Sequence, residues 1–410
     1  MSENASPSAP ASPLEGITVV DFTAHIAGPY ATKILADLGA RVLKVERPEG
    51  DPARRSPPFK DDVPGPDRSA LYHFLNTNKE SIVLDLKNRG SQVVVERLLA
   101  LADLAVFSQS PSVLERLELD YGSVSSTAKG PVVYLTNFGF DGPYRDYRLS
   151  DTALYAMGGE MFSHGIASRE PLTVGGTATL LQCGAMTSIA ALGAIHGWEA
   201  HGTGQRVDVN MFETQVGSLD RRSSTILAYR FAGAIQGRAP AATVGLAGGV
   251  YPVADGFVEV TASFGDYWER FVEMVDDDRF RDPKWADPVF TAAPEAKEEA
   301  DGLIYPWMLE RTRQQVWERA RGARAMVAPL FTGADLAEDG VLKGRGYWVE
   351  IETPELGRVP MIGRPYVFEK TPWALRRPAP TLGQDTDSIL GLAGFGNSEI
   401  IEFRREGAVY

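Results

Sequence analysis

Reactive side chains are sparse in the segment PLTVGGTATLLQCGAMTSIAALGAI, residues 171–195, which contains no Asp, Glu, Lys, Arg or His. Its candidate nucleophiles are the hydroxyls of Thr177 and Thr179 and the thiol of Cys183. A hydroxyl or thiol attacks a carbonyl carbon only when an adjacent base or positive charge activates it, and none lies nearby in sequence. A buried, unreactive thiol is therefore the favoured interpretation of Cys183. The many small residues would let another backbone approach closely.

Short strand patterns alternate with helical patterns in the first part of the chain. The pattern ITVVDF is followed by the helical AGPYATKILADLG and the strand-like ARVLKVE, and the alternation continues through SIVLDL, SQVVVERLLALAD, LAVFS and VVYLTNF. Successive βαβ units with right-handed crossovers predict an α/β fold with a doubly wound parallel sheet. Ligands of such sheets bind beyond the carboxyl ends of the strands. The first turn lacks G-x-G-x-x-G, which disfavours NAD as a cofactor.

Composition excludes several classes of partner. The 410 residues carry a formal net charge of −13, which disfavours nucleic acid or an anionic membrane as the main partner. We expect no stretch to match a membrane-spanning helix in length and apolarity, and we expect no secretion signal at the N-terminus. A single cysteine excludes an intrachain disulfide framework and indicates a reducing compartment, so the predicted location is cytoplasmic.

An ordered set of segments resembles the class III CoA-transferase family, which includes formyl-CoA transferase and carnitine CoA-transferase types. The similarity extends from Leu14 to about Leu392. The segments are LEGITVVDFTAHIAGPYATKILADLGARVLKVERPEGDPAR, LNTNKESIVLDLKN, VLERLELDYGSV, NFGFDGPYRD, HGTGQRVDVNMFE, GVYPVADGFVEV and GRVPMIGRPYVFEKTPWALRRPAPTLGQDT. Each segment alone is a weak signal, whereas their shared order and spacing make a strong one.

The resemblance implies a domain organisation and an assembly. It implies a large Rossmann-like domain built from residues 14–214 and 326–410, and a smaller middle domain with linking helices at 215–325. Residues 1–13, rich in Ser, Ala and Pro, predict a disordered tail. The resemblance also implies that two chains interlock as a dimer.

The reaction implied by the resemblance moves coenzyme A from an acyl-CoA to a free carboxylic acid, without a metal. In active members an Asp carboxylate attacks the thioester and then carries CoA as an aspartyl thioester. The family element before that Asp matches Leu149-Ser150-Asp151, and this register places Leu180 at the catalytic position. A leucine cannot attack a thioester. Racemisation, which uses a His at the position of Ser150 together with the same Asp, is disfavoured as well.

Basic residues at positions similar to the family's nucleotide contacts are candidate CoA ligands. They are Arg47, Lys79, Arg116 and Arg148, with His25 beside the expected pocket. Phosphates of CoA require such donors, although ordinary surface charge or a structural histidine is the alternative for each residue. The family loop ENFRPG is replaced here by FSQSPS, which weakens the expected nucleotide pocket.

Three hypotheses follow. The favoured one is a non-catalytic subunit of a heteromeric CoA-transferase of the succinyl-CoA:benzylsuccinate type, paired with a homologous chain that keeps the Asp. The second is an active homodimer acting as a CoA-ester lyase, isomerase or hydrolase through Asp151, His25 or Cys183. The third is a CoA-ester-binding protein without turnover, which would be stabilised by its ligand without any partner chain.

Overall fold

The computed structural model describes residues 12–217, 221–235, 237–238, 245–262, 266–353 and 355–410. Contacts divide the chain into two compact units. The large unit contains the described residues of 1–161, 173–232 and 343–410, and the small unit those of 162–172 and 233–342. Most of the tail predicted at residues 1–13 lies outside the described residues. The domain boundaries predicted at residues 215 and 325 stay predictions.

Eleven strands lie in the described part of the chain. They are β1 Thr18–Phe22, β2 Arg41–Glu46, β3 Lys79–Val83, β4 Leu104–Phe107, β5 Val132–Thr136, β6 Arg206–Asn210, β7 Gly248–Val253, β8 Gly256–Thr261, β9 Val327–Pro329, β10 Trp348–Thr353 and β11 Gly357–Ile362.

Helices connect and cover these strands. Those before β7 are α1 Ala27–Asp37, α2 Ala70–Asn76, α3 Arg89–Leu101, α4 Pro111–Arg116, α5 Tyr121–Val124, α6 Asp151–Met157, α7 Glu160–Ser163, α8 Ala178–His201, α9 Met211–Val216 and α10 Arg221–Ala232. Those after β8 are α11 Tyr267–Val275, α12 Pro288–Thr291, α13 Pro294–Leu309, α14 Arg313–Ala323, α15 Gly333–Glu338, α16 Gly340–Gly344, α17 Thr386–Leu392 and α18 Asn397–Arg405. Short 3-10 helices occupy Pro52–Arg55, Lys60–Asp62, Asp278–Arg281 and Pro283–Ala286.

The large unit contains a six-stranded sheet in the order β3-β2-β1-β4-β5-β6, and every neighbouring pair is parallel. This order confirms the predicted doubly wound sheet. The direction of winding reverses between β1 and β4, and the crevice at such a switch point is where ligands of these folds bind. Strands β10 and β11 form a separate antiparallel hairpin in the same unit.

Helices cover both faces of this sheet because the strands are apolar on both sides. Val19 of β1 packs with α1 and α8, whereas its neighbour Val20 packs with α3, α17 and α18 on the opposite face. Successive side chains of a strand point to opposite faces, so a strand buried on both faces is apolar along its length. The C-terminal helices α17 and α18 thereby complete one face of a sheet whose strands come from the first half of the chain.

Helix α8 contains most of the small-residue segment noted in the sequence. It packs along α1, and a Cβ atom added at Gly184 would lie 2.4 Å from the carbonyl oxygen of Ala27. The glycine is therefore what permits the close approach of these two backbones. The helix also corrects an expectation, because its 24 residues are long and apolar enough to cross a membrane by length and composition. In the large unit this helix contributes Ala191 and Ile195 to the core.

The small unit has its own hydrophobic core. Strands β7, β8 and β9 form an antiparallel sheet, and helices α11, α13 and α14 pack with it around a cluster that includes Phe271, Phe280 and Trp285. The hairpin expected from the pattern GGVYPVADGFVEVTA corresponds to β7 and β8.

Candidate active site

A cleft of about 760 Å³ lies in the large unit at the carboxyl ends of strands β1 to β3. Its lining comprises residues 22–24, 45–52, 55, 85–87, 109, 117 and 410. The segments after β1, β2, β3 and β4 all contribute, so the cleft occupies the topological switch point of the sheet. This is the position at which the sequence predicted ligand binding.

The loop between β1 and α1 borders this cleft and is held in an unusual conformation. His25 has a φ of 73°, in the left-handed region that residues with a side chain seldom adopt. Its backbone N–H donates to Asp51 Oδ1 at 3.1 Å, and the same oxygen accepts from the backbone N–H of Ala53 at 2.8 Å. Asp51 therefore joins the loop after β1 to the loop after β2, and both loops line the cleft.

Buried ion pairs lie directly beneath these loops. Lys44 Nζ is 2.8 Å from Asp51 Oδ2 and also donates to the carbonyl oxygen of Thr23 at 3.1 Å. On the neighbouring strands, Lys79 Nζ is 3.1 Å from Asp21 Oδ2. Burial would raise the pKa of Asp21, but Lys79 and Lys44 outweigh burial and hold that pKa below its usual value. Burial lowers the pKa of Lys79 to about 8, with Asp21 acting in the opposite direction.

Arg54 forms the densest part of this network. Its guanidinium donates to both carboxylate oxygens of Glu46, at 2.8 Å from Nε and 2.7 Å from Nη2, in the bidentate geometry that arginine favours. It also donates to Asp67, to the hydroxyl of Tyr72 and to the carbonyl oxygen of Pro380. The pKa of Glu46 is lowered, because hydrogen bonds from Arg54 outweigh the effect of burial. The floor of the cleft is thus a rigid, charged scaffold.

The predicted ligand residues fall in different places. Arg47 lines the cleft, is more than half exposed and donates through Nε to the carbonyl oxygen of Gly50 at 3.0 Å. His25 is exposed and follows Ala24, which lines the cleft. Arg116 is exposed in the last turn of α4, next to the cleft residue Leu117.

The two other predicted ligands lie outside the cleft lining. Lys79 is fully buried, and its ammonium also donates to Pro29 O, Thr32 Oγ1 and Asn76 Oδ1. Arg148 is exposed in the segment between β5 and α6. The structure therefore brings only part of the predicted set together.

Sequence reasoning missed most residues of the cleft, among them Arg55, Lys87 and Tyr410. Arg55 and Lys87 follow β2 and β3, so their position after predicted strands was an available signal. Nothing in the local sequence of Tyr410 indicates that it reaches this site.

Leu180 lies in the first turn of α8 and is half-buried. Its side chain packs against two hydrophobic clusters, one containing Ile26 and the other Ala27. Ile26 is the last residue of the loop between β1 and α1, and the first residues of that loop line the cleft. A single loop therefore connects the cleft to Leu180. Nearby, Cys183 is fully buried and Gln215 Nε2 lies 3.5 Å from its Sγ. The burial of Cys183 matches an unreactive thiol.

Ser150 and Asp151 have different roles at the start of α6. The capping side chain is Ser150, whose Oγ accepts from the backbone N–H of Ala153 at 3.2 Å. Asp151 instead occupies the first turn, where a carboxylate interacts favourably with the helix dipole. Among the described residues no cluster of His, Cys, Asp and Glu is suited to hold a metal ion.

Comparison with known proteins connects this architecture to a family. The profile described as CoA-transferase family III matches residues 14–386. The chain belongs to CoA-transferase family III. This membership supports CoA transfer as the chemistry of the chain and confirms the resemblance inferred from its segments.

Individual family members are similar over nearly their whole length. The chain is 30% identical over 403 residues to the succinyl-CoA:(R)-benzylsuccinate CoA-transferase subunit BbsE of Thauera aromatica, covering 96% of this chain and 97% of the relative. It is 29% identical to a succinate–glutarate CoA-transferase of Agrobacterium fabrum, covering 92% and 95%. A solved CaiB/BaiF family protein from Brucella suis aligns with a TM-score of 0.83 at 27% identity, covering 93% and 100%.

Proposed function

We propose that this chain is the non-catalytic subunit of a heteromeric CoA-transferase. The complex moves CoA from an acyl-CoA of the succinyl-CoA type to a free carboxylic acid in the cytoplasm, and the partner is a homologous chain that supplies the catalytic Asp. The two chains interlock as a dimer. Leu180 is the observation that carries the proposal, because a hydrocarbon side chain stands where the resemblance places the nucleophile.

The chemistry of the exchange explains why this residue decides the function. A carboxylate can attack the thioester, expel the CoA thiolate and form a mixed anhydride, which the thiolate then converts into an aspartyl thioester with release of the donor acid. The acceptor carboxylate takes CoA from the aspartyl thioester through the same two steps. Leu180 has no lone pair to donate, and the segment around it contains no acid or base. A relative whose name describes a CoA-transferase subunit, BbsE, supports a two-chain enzyme.

The cleft supports retained binding of CoA. Arg47, Arg55 and Lys87 line it and offer cationic groups for the phosphates of CoA. In the proposal, further contacts with CoA come from residues around the cleft, namely His25, Arg116 and Arg148. Buried Lys79 acts indirectly, because it holds Asp21 in place beneath the cleft. The loop from the cleft to Ile26 gives the pantetheine arm a route from the nucleotide towards Leu180.

Co-expression with the homologous chain tests the proposal. We expect the two chains to copurify in equal amounts and to transfer CoA together, and we expect loss of transfer when the partner's catalytic Asp is replaced by Asn. With that inactive partner, Leu180→Asp should restore measurable transfer, because the first turn of a helix stabilises a carboxylate. Leu180→Asn is the matched control, nearly equal in size but unable to form the aspartyl thioester.

Covalent trapping distinguishes the remaining functions. Incubation of the complex with acyl-CoA and hydroxylamine should modify the partner and leave this chain unmodified when analysed by mass spectrometry. Modification of Asp151, His25 or Cys183, or full turnover by this chain alone, would refute the proposal in favour of a homodimeric enzyme. Ligand-dependent stabilisation of the isolated chain, with no transfer by the complex, would indicate a CoA-ester-binding protein.

A further inference from the structure

The segment 406–410 is fixed against the end of β3 and the loop that follows it. Asp85 N–H donates to the carbonyl oxygen of Ala408 at 3.1 Å, and the N–H of Tyr410 donates to the carbonyl oxygen of Val83 at 3.2 Å. The side chain of Asn88 donates to the carbonyl oxygen of Glu406 at 2.8 Å. These bonds tie the segment to the same part of the chain that contributes residues 85–87 to the cleft.

Burial along this segment changes abruptly at its last residue. Ala408 and Val409 are fully buried against the core of the large unit, whereas Tyr410 is 56% exposed. Its neighbours thus hold the backbone in place while Tyr410 itself remains accessible. An immobilised backbone lowers the entropy that must be lost when a ligand packs on the ring.

Tyr410 is one of the residues that line the cleft. Phe22 is the other aromatic residue among the described lining residues, but it is 2% exposed and its ring stacks on Phe107 at 4.5 Å. The loop after β4 contributes Gln109, whose amide already donates to the carbonyl oxygen of Phe22 at 2.6 Å. Tyr410 therefore offers the accessible aromatic surface of the lining.

We infer that Tyr410 is the stacking platform for the adenine ring of the CoA substrate. The inference rests on the proposed function, because it assigns one end of the same ligand. With the base on Tyr410, the phosphates would meet the cationic groups of Arg47, Arg55 and Lys87, which line the same cleft. Stacking of a base on an aromatic side chain corresponds to about 5-fold to about 150-fold in affinity.

Titration calorimetry on the complete complex tests this inference with three probes. They are CoA, adenosine 3′,5′-bisphosphate and 4′-phosphopantetheine, which lacks the adenosine. We expect Tyr410→Leu to weaken binding of CoA and of the bisphosphate by at least 5-fold and to leave 4′-phosphopantetheine within 2-fold. Tyr410→Phe keeps the ring and should bind all three probes as the unchanged protein does. Ile401→Ala, an exposed change on α18, is the control for disturbance of the C-terminal region.

The outcomes separate this inference from the proposed function. Equal weakening of all three probes by Tyr410→Leu, or equal binding of CoA by both Tyr410 variants, would overturn the stacking role and would not contradict the proposed function. Failure of the unchanged complex to bind CoA or the bisphosphate would overturn both. Selective loss of the two adenine-containing probes would establish Tyr410 as their platform.

Discussion

Replacement of Gly184 or Gly193 of α8 by alanine should change the free energy of unfolding in opposite directions. In Gly184→Ala the new methyl group would lie 2.4 Å from Ala27 O and 3.1 Å from the Cβ atom of Tyr30. Carbon–oxygen contacts in proteins are about 3.3–3.6 Å, so α1 and α8 would have to separate by roughly 1 Å. Such overpacking lowers the free energy of unfolding by about 1–3 kcal/mol. The better helix propensity of alanine offsets about 1 kcal/mol of this loss.

Gly193 of α8 has open space where a Cβ atom would be added. Gly193→Ala therefore gains helix propensity without a clash, and we expect it to raise the free energy of unfolding by about 0.5–1 kcal/mol. Gly184→Ala should lower it by up to about 2 kcal/mol. Urea unfolding followed by circular dichroism at fixed protein concentration measures both changes. Equal effects of the two substitutions would refute the close approach of α1 and α8.

Two further predictions concern the buried charges beneath the cleft. Arg54→Met leaves Glu46 buried without its cation, so we expect the free energy of unfolding to fall by about 3–5 kcal/mol. Combining Arg54→Met with Glu46→Gln should recover at least half of that loss. A loss below about 1 kcal/mol in the single variant would contradict the role of this pair. Burial lowers the pKa of Lys79 from 10.5 to about 8. Between these pH values the unfolded chain binds more protons than the folded chain, so the contribution of Lys79 to the free energy of unfolding increases as the pH rises from about 8 to about 10.5. Lys79→Met should flatten the dependence of the unfolding free energy on pH in that window, relative to the exposed control Lys87→Met, and an unchanged slope would contradict the assignment.

The sheet could be predicted from sequence because its signals are local. Strands β1 to β5 each contain a short group of apolar residues, helical patterns lie between most of them, and the right-handed crossover rule converts their order into a parallel sheet. The carboxyl-end location of the cleft follows from the same rule. The expectation that no stretch is long and apolar enough to cross a membrane was wrong for α8, because its small residues make the helix apolar overall. One of them, Gly184, permits the close packing against α1.

The cleft itself could be predicted only in part. Arg47 follows β2 directly, so its position is a local consequence of the strand. Lys79 was predicted to contact CoA, yet it is fully buried and its ammonium pairs with Asp21 of β1, and no sequence spacing reveals that pairing. Tyr410 reaches the cleft through hydrogen bonds to Val83 and its neighbours, which join residues more than three hundred positions apart.

The large unit draws its last pieces from the far end of the chain, and this has a consequence during synthesis. The side chain of Asn78 accepts hydrogen bonds from the backbone of Arg376 and Arg377, and Val409 pairs with Leu84. A nascent chain therefore exposes one apolar face of its first sheet until residues 386–410 have been synthesised. During that interval the ribosome-bound chain should be a client of chaperones, and the binding cleft should remain incomplete.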